Sequence, residues 1–398
     1  MKNHRLLKAP KKDLEKFVET AKKFIQKYAK DKKVLCALSG GIDSSATYLL
    51  LKEAEADVLP VFIDHGLMRV IEGKDESEHI KELFPEVKIV NIRRSFLRKI
   101  YYVGDAEKKR KLFKDAYSEA FNEIIEEEKC DYLADGTILP DLEESFGVTI
   151  KELKETMTPE EETALREAQK GEGFVKSQHN VEIEYDVEGT IQPIASLTKN
   201  RVRELLKHLD MPDKLVYRKA FPGPALAARI VGPVTPDNRT FEQRVHDITE
   251  SAVNKYYIEK HGQPMIFKKN GEQEPFQVFA ATFKSVESSR VTGMRDGKRT
   301  YLTPMVYEGK WDFDRLVKEG SELDENFSRY FYVIKKREGG EYDVVIRCVN
   351  SVDARTATVT KLPLELLKSI SDDIFRSSKV HLVAYDCTPK PPGTIEYV

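Results

Sequence analysis

A chain of 398 residues is long enough for two or three domains with a sizeable core, and 40% hydrophobic content with 21 Gly and 18 Pro excludes disordered, collagen-like and fibrous classes. Sixty-five basic residues against 67 acidic ones leave a formal net charge of −2, so no global positive field exists to hold nucleic acid or an anionic membrane, although a local basic pocket for phosphate stays open. Cysteines at 36, 130, 348 and 387 show no C-x-x-C spacing, which speaks against zinc and for a reducing compartment. The longest aliphatic runs, 34–38 and 49–51, fall far below the ~18 apolar residues of a membrane span, and the lysine-bearing N-terminus lacks an apolar signal core. A cytoplasmic protein is expected.

In chain order, Leu14, Phe17, Val18, Ala21, Phe24, Ile25 and Tyr28 recur at helical spacing behind a candidate N-cap, Asp13. Residues 34–38 form a short apolar run stopped by Ser39-Gly40-Gly41, and 58–63 a second run stopped by Asp64-His65-Gly66, as buried parallel strands do. Helix is predicted between them from Ser44 to Ala54. Further runs at 87–92 and 132–134, with a charged helix over about 105–128, extend the alternation into a doubly wound parallel α/β sheet. Residues 149–172, rich in Glu and Lys, read as an exposed helix or mobile flap. Beyond Phe221-Pro222-Gly223-Pro224 and Gly232-Pro233 the pattern changes to strands at 277–283, 331–335, 342–349 and 380–385, with helices over about 241–255 and 364–374. The predicted domains are therefore 1–232, with an inserted lid at 146–174, and a second, smaller α+β domain at 233–398.

The segment Ser39-Gly40-Gly41-Ile42-Asp43-Ser44-Ser45 joins the first strand to its helix. Two glycines permit a tight turn that aims backbone N–H groups outward, and the helix adds its positive dipole end, an arrangement suited to pyrophosphate. Ser39, Ser44 and Ser45 offer hydroxyl donors, and Asp43 is a candidate to hold Mg²⁺ or orient the loop. No G-x-x-x-x-G-K-[ST] occurs, which excludes a P-loop NTPase. A plain helix cap is the competing reading. Arg218 and Arg229 flank the Pro-Gly turn, where a ligand phosphate could meet guanidinium groups, the competing reading being a linker turn with surface arginines.

Val34-Leu35-Cys36-Ala37-Leu38-Ser39-Gly40-Gly41-Ile42-Asp43-Ser44-Ser45 resembles the pyrophosphate-binding loop of the N-type ATP pyrophosphatases, and in particular that of the GMP synthetases. The likeness continues in order through Phe62-Ile63-Asp64-His65-Gly66-Leu67-Met68-Arg69, then Gly136-Thr137-Ile138-Leu139-Pro140-Asp141 with Glu144-Ser145, and then Lys176-Ser177-Gln178-His179-Asn180. Arg218-Lys219-Ala220-Phe221-Pro222-Gly223-Pro224 and the ending Lys390-Pro391-Pro392-Gly393-Thr394-Ile395-Glu396-Tyr397-Val398 complete it.

The resemblance implies an adenine nucleotide alpha hydrolase-like fold and a ligase that adenylylates the 2-oxygen of a purine nucleotide such as XMP, after which ammonia displaces AMP. It implies ATP and Mg²⁺ as cofactors. It places Leu38, Ser39, Gly40, Gly41, Asp43, Ser44, Ser45, Ile63, Asp64, Gly136 and Thr137 at ATP, Asp43 and Asp141 at the metal, and Asp43 with Lys176 in catalysis. Asp135, His179, Asn180, Arg218, Phe221, Pro222, Gly223, Arg229, Lys390, Thr394, Ile395 and Glu396 fall on the acceptor side. It also implies a homodimer through the C-terminal domain. Only about 33 residues precede the first strand, against roughly 200 for a glutaminase domain with its own nucleophilic cysteine, so a separate glutamine amidotransferase subunit is the expected ammonia source.

The chain departs from the family pattern at Asp135, Gln178, Lys219-Ala220, Ala225 and Tyr397-Val398, and is longer over 146–174 and near 308–342. Because these changes concentrate on the acceptor side, two acceptor classes stay open: XMP, or a different purine or modified heterocycle taking nitrogen or sulfur. A non-catalytic nucleotide-binding protein is a third reading, which the complete loop disfavours.

Overall fold

The computed structural model describes residues 3–8, 13–146, 154–158, 161, 186–352 and 355–398. The chain divides into two compact units. The first comprises Met1–His65, Ser77–Arg94 and Phe113–Arg218, and the second Gly66–Glu76, Ser95–Leu112 and Lys219–Val398.

The first unit is built on a seven-stranded sheet in the order Lys88–Asn91, Asp57–Asp64, Lys33–Ala37, Tyr132–Ala134, Gly189–Gln192, Asn3–Leu6, Thr156–Met157. Every neighbouring pair is parallel except the last, which is antiparallel. Both faces are covered, as parallel strands require. Phe121, Ile124 and Ile125 of the long helix Ala106–Glu128 pack on Leu35, Val61, Ile63 and Leu133. The helices Leu14–Ala29 and Lys199–His208 both pack against helix Ile42–Glu53. Asp13 caps the first of these as its sequence position predicts, its carboxylate accepting from Lys16 N at 3.1 Å.

Strand order sets the place of chemistry. From Lys33–Ala37 the chain winds outward through Asp57–Asp64 to Lys88–Asn91, then returns to the other side at Tyr132–Ala134. In open α/β sheets ligands bind where the winding reverses, at the carboxyl ends of the strands. Residues 38–41 and 135–137 leave the sheet at that point.

The second unit carries a sheet ordered Ile266–Phe267, Gln273–Phe283, Tyr342–Ser351, Val380–Asp386, Phe327–Lys336, Lys298–Tyr307, Val291–Arg295, with Thr358–Val359 beside Tyr342–Ser351. Period-two alternation divides its side chains between two cores. Val278, Ala280, Val344 and Ile346 face helices Pro236–His261 and Leu364–Phe375, while Phe279, Ala281, Val345 and Ala384 face the opposite way with Phe331 and Tyr397.

The change of unit falls at Arg218/Lys219 instead of residue 232. The backbone of 225–234 is already paired within the second unit: Leu226 N donates to Leu67 O at 3.0 Å, Val231 N to Thr282 O at 2.9 Å, and the buried Lys109 ammonium to the carbonyls of Ala227, Ile230 and Gly232 at 3.1, 2.6 and 2.8 Å. Other elements start earlier than predicted: helix begins at Ile42 instead of Ser44, and the strand predicted at 331 begins at Phe327. Within the predicted lid at 146–174, residues 146, 154–158 and 161 are described, and Thr156–Met157 is an edge strand paired with Asn3–Leu6 instead of part of an exposed helix or flap; the rest of the predicted lid lies outside the described residues.

Gly320, near the end of helix Phe313–Ser321, has no room for a side chain, since a Cβ there would stand 2.5 Å from the Cys387 carbonyl oxygen. Gly320→Ala, which in an exposed helix gains about 1 kcal/mol, is expected here to cost roughly 1–3 kcal/mol by overpacking. A lowered urea midpoint in equilibrium denaturation checks the reversed sign.

Candidate active site

Helix Ile42–Glu53 opens with Gly41 as N-cap and no side-chain capping bond. Gly40, at φ 81°, makes the turn in the left-handed region that glycine favours. The hydroxyls pack this turn: Ser44 Oγ donates to Gly41 O at 3.1 Å, Ser45 Oγ to the same oxygen at 2.9 Å, and Ser39 Oγ lies 3.1 Å from Ser44 Oγ. Ser44 and Ser45 are buried, so they build the turn while the N–H groups of the first helical turn supply the anion-binding potential.

Among the described residues, three cations belong to this loop. Lys199 Nζ pairs with Asp43 Oδ2, Arg218 Nη1 donates to Gly40 O at 2.8 Å, and buried Arg203 sits in the field of Asp43. Burial draws the Arg203 guanidinium down to about 10, against the pull of the Asp43 carboxylate. Asp43 Oδ1 is buried with no hydrogen-bond partner among the described residues. A hard, unpartnered carboxylate oxygen at a phosphate loop fits a Mg²⁺ ligand. Among the described residues no group of three or more His, Cys, Asp or Glu side chains gathers as a metal cluster.

The second wall is the segment after strand Tyr132–Ala134. Gly136 passes so close to the helix start that a Cβ would stand 2.7 Å from Ser44 N and 2.8 Å from Asp43 C. Asp135 does not project from this wall: its Oδ1 accepts from Thr137 N at 3.0 Å and Thr137 Oγ1 at 2.5 Å, and its Oδ2 from Gln192 Nε2 at 3.3 Å. Asp141 Oδ2 accepts from Ile138 N at 3.1 Å, fixing the entry to helix Leu139–Phe146. Leu38 and Ile63 are buried, and Asp64 accepts from Arg93 Nε at 2.7 Å. Lys176, His179 and Asn180 lie outside the described residues.

The remaining predicted acceptor residues fall in the second unit. The Phe221 ring stands between two guanidiniums, Arg69 at 4.9 Å and Arg229 at 4.7 Å from its centroid. Arg229 is buried against His246 Nδ1 at 3.0 Å and Glu396 Oε2 at 3.5 Å, and Arg69 reaches both oxygens of Glu250 at 3.2 Å. His246 Nε2 lies 2.9 Å from Glu250 Oε2. Burial pushes Glu242 well above the ordinary carboxylate range and raises Glu396, while the Arg69 charge, followed by His246, holds Glu250 well below it despite burial. Burial, then the Arg229 charge, lowers His246 to about 4. In the tail, Lys390 pairs its backbone with Ala357, and Thr394 and Ile395 give carbonyls to Arg329 and Arg347. Pro222 and Gly223 form the turn ahead of Ala225.

The PP-loop domain model matches residues 13–151, and the GMP synthase C terminal domain model residues 330–397. One of the subunits of the glutamine-hydrolysing GMP synthase of Archaeoglobus fulgidus is 32% identical over 392 residues, spanning 97% of this chain and 99% of that protein. The chain belongs to the family of this GMP synthase subunit. The same-named subunits of Methanopyrus kandleri and Saccharolobus solfataricus, 30% and 28% identical, also span 97% of this chain and 99% of their own. The family relation covers both units, so the PP-loop and the tail are read together as parts of one ligase.

Lys199 and Arg203 were not singled out in the sequence, because a Lys-x-x-x-Arg pair on an amphipathic helix is indistinguishable from solvated surface until strand order brings that helix to Asp43. Arg69, read with the second-strand motif, instead pairs inside the second unit with Glu76 and Glu250.

Gly136→Ala is expected to displace the helix start and raise the KM for ATP by up to about 10²-fold with far-UV circular dichroism unchanged; steady-state kinetics in ATP checks it. A second expectation concerns acid. His246, at about 4 folded and 6.5 ordinarily, binds fewer protons folded than unfolded between those values. Its stabilising contribution is complete above about 6.5 and is lost as pH falls toward about 4. Urea unfolding across that window should show declining stability, with a shallower slope in His246→Asn.

Proposed function

We propose that this chain is the ATP pyrophosphatase subunit of GMP synthesis: ATP adenylylates XMP, and ammonia from a separate glutamine amidotransferase subunit displaces AMP to give GMP. The observation that carries this reading is the pairing of a near-full-length relation to GMP synthase subunits with an uncapped helix start at the sheet's switch point. The sheet argues for an α-phosphorus exposed above residues 38–41, with the leaving pyrophosphate on the helix N–H groups. Attack by the 2-oxygen of XMP breaks the bond to pyrophosphate, and ammonia then replaces the adenylylated oxygen, so positioning and charge neutralisation suffice without a protein nucleophile.

Lys199 and Arg203 set the Asp43 carboxylate and raise the local positive potential. Arg218, donating to Gly40 O, holds the loop's shape. Asp43 Oδ1, with Asp141 as second candidate, would hold Mg²⁺, which supplies charge neutralisation on the phosphate oxygens. Lys176, His179 and Asn180 are proposed to meet the pyrophosphate and acceptor, and Phe221, Arg229, Lys390 and Glu396 to shape the acceptor side. A homodimer through the C-terminal domain and a cytoplasmic location belong to the same reading. Two departures from the family pattern have structural employment that favours XMP over another acceptor. Asp135 is spent on Thr137 and Gln192, and Tyr397 is buried among Phe279, Phe283 and Phe331.

The test is turnover of ATP with ammonium chloride, with and without XMP. Expected are equal amounts of AMP, pyrophosphate and GMP, all XMP-dependent, and a fall in kcat on the order of 10²–10³-fold in Asp43→Asn. AMP formation indifferent to XMP overturns the reading.

A further inference from the structure

The C-terminal tail is held by two cations that the chemistry above does not use. Arg329, fully buried in strand Phe327–Lys336, spends all five N–H groups. Nε donates to Thr292 O at 3.0 Å, and Nη1 to Asp386 Oδ2 at 3.2 Å and Thr394 O at 2.7 Å. Nη2 donates to Thr394 Oγ1 at 2.6 Å and Glu396 O at 2.9 Å. Arg347, also fully buried, donates from Nε to Ile395 O at 3.0 Å, from Nη1 to Asp386 Oδ2 at 2.7 Å and Thr388 O at 3.0 Å, and from Nη2 to Thr394 O at 2.7 Å.

Two guanidiniums thus share one carboxylate, which leaves a buried cation without a counter-ion, ordinarily costly. Burial and the neighbouring Arg347 draw Arg329 down to about 10. The missing negative density comes from tail carbonyls, so tail and cation pair stabilise one another. Gly393 is shaped to this: a Cβ there would stand 2.8 Å from Arg329 Nη1. Arg347, Asp386 and the tail to Tyr397 lie inside the stretch matched by the GMP synthase C terminal domain model, 330–397, whereas Arg329 lies just before it.

We propose that Arg329 is a positioning residue for the acceptor, a fork that sets the register of Thr394 to Glu396 and thereby the affinity for the purine nucleotide. The proposal rests on the reading that this tail serves the acceptor.

Arg329→Met in the full-length chain is measured two ways: carboxypeptidase release of Val398 and Tyr397 by mass spectrometry, and the KM values for XMP and ATP at saturating ammonium. Expected are release at least about 10-fold faster and an XMP KM raised about 10-fold or more, with the ATP KM and kcat within about twofold. Arg329→Lys, which keeps the charge without the fork, is expected to restore only part of the XMP affinity. Should Arg329→Met fail to fold, Thr394→Val removes only the hydroxyl that Nη2 meets and is expected to move both readouts the same way. Unchanged release overturns the clamp, and faster release with an unchanged XMP KM overturns the positioning role. A wild-type chain without XMP turnover defeats the parent reading and the acceptor role with it, while the release assay still decides whether Arg329 holds the tail.

Discussion

The start of helix Ile42–Glu53 bears no side-chain cap, because glycine stands at its N-cap and the nearby serine hydroxyls turn inward to the Gly41 carbonyl. N–H groups left without an internal partner there would be costly if simply buried, and they attract negative charge. Much of the first unit follows from that constraint. Gly136 has no side chain so that its backbone can close against the helix start, Asp135 turns back on Thr137 instead of pointing its charge at the helix N–H groups, and Arg218 fixes the loop through Gly40 O. At the helix start Asp43 has one oxygen paired with Lys199 and the other without a hydrogen-bond partner among the described residues.

The second unit faces a different difficulty, guanidinium groups buried in close pairs. Arg329 and Arg347 share Asp386 and are completed by carbonyls of the tail, while Arg69 and Arg229 share Phe221 and are completed by Glu250 and Glu396. Burial pushes Glu242 well above the ordinary carboxylate range, and its Oε2 accepts from Thr282 Oγ1. Cations satisfied by fixed dipoles as well as by carboxylates are less sensitive to salt and more sensitive to geometry than surface ion pairs. Each such group therefore orders the backbone it touches.

The features legible in the sequence were those with local causes. The Asp13 cap, the strand–turn–helix around Ser39-Gly40-Gly41 and the alternating run 342–349 follow from short-range chemistry, and the parallel α/β class from their succession. Strands Asn3–Leu6 and Gly189–Gln192 escaped because four residues carry too little periodicity to announce a buried strand. The sequence pattern sets the unit boundary late because the change to strand-like runs comes only beyond Gly232-Pro233, whereas the carbonyls of Ala227, Ile230 and Gly232 are bound by Lys109 from over a hundred residues earlier. The same limit hid Lys199 and Arg203, whose role depends on a sheet order that no window of sequence contains.

The two halves of the chemistry tolerate change differently for a physical reason. An anion site made of backbone N–H groups has few substitutable parts: its specificity is in chain path, and chain path demands glycine at Gly40 and at Gly136, where a Cβ would strike the helix start. A tail held by side chains grasping its backbone carbonyls, which the proposed function puts on the acceptor side, has more freedom, because the grasped residue can change its own side chain so long as its carbonyl stays in place. Tyr397 illustrates this. Its carbonyl accepts from Thr292 N at 3.1 Å and Thr292 Oγ1 at 2.8 Å while its ring fills an aromatic pocket and its hydroxyl meets Asp386 at 2.8 Å. A different ring could occupy that pocket without moving the main chain, provided it also supplied a donor to Asp386. Divergence in the tail motif is therefore compatible with an unchanged acceptor, whereas divergence at the loop glycines would not be compatible with an unchanged nucleotide.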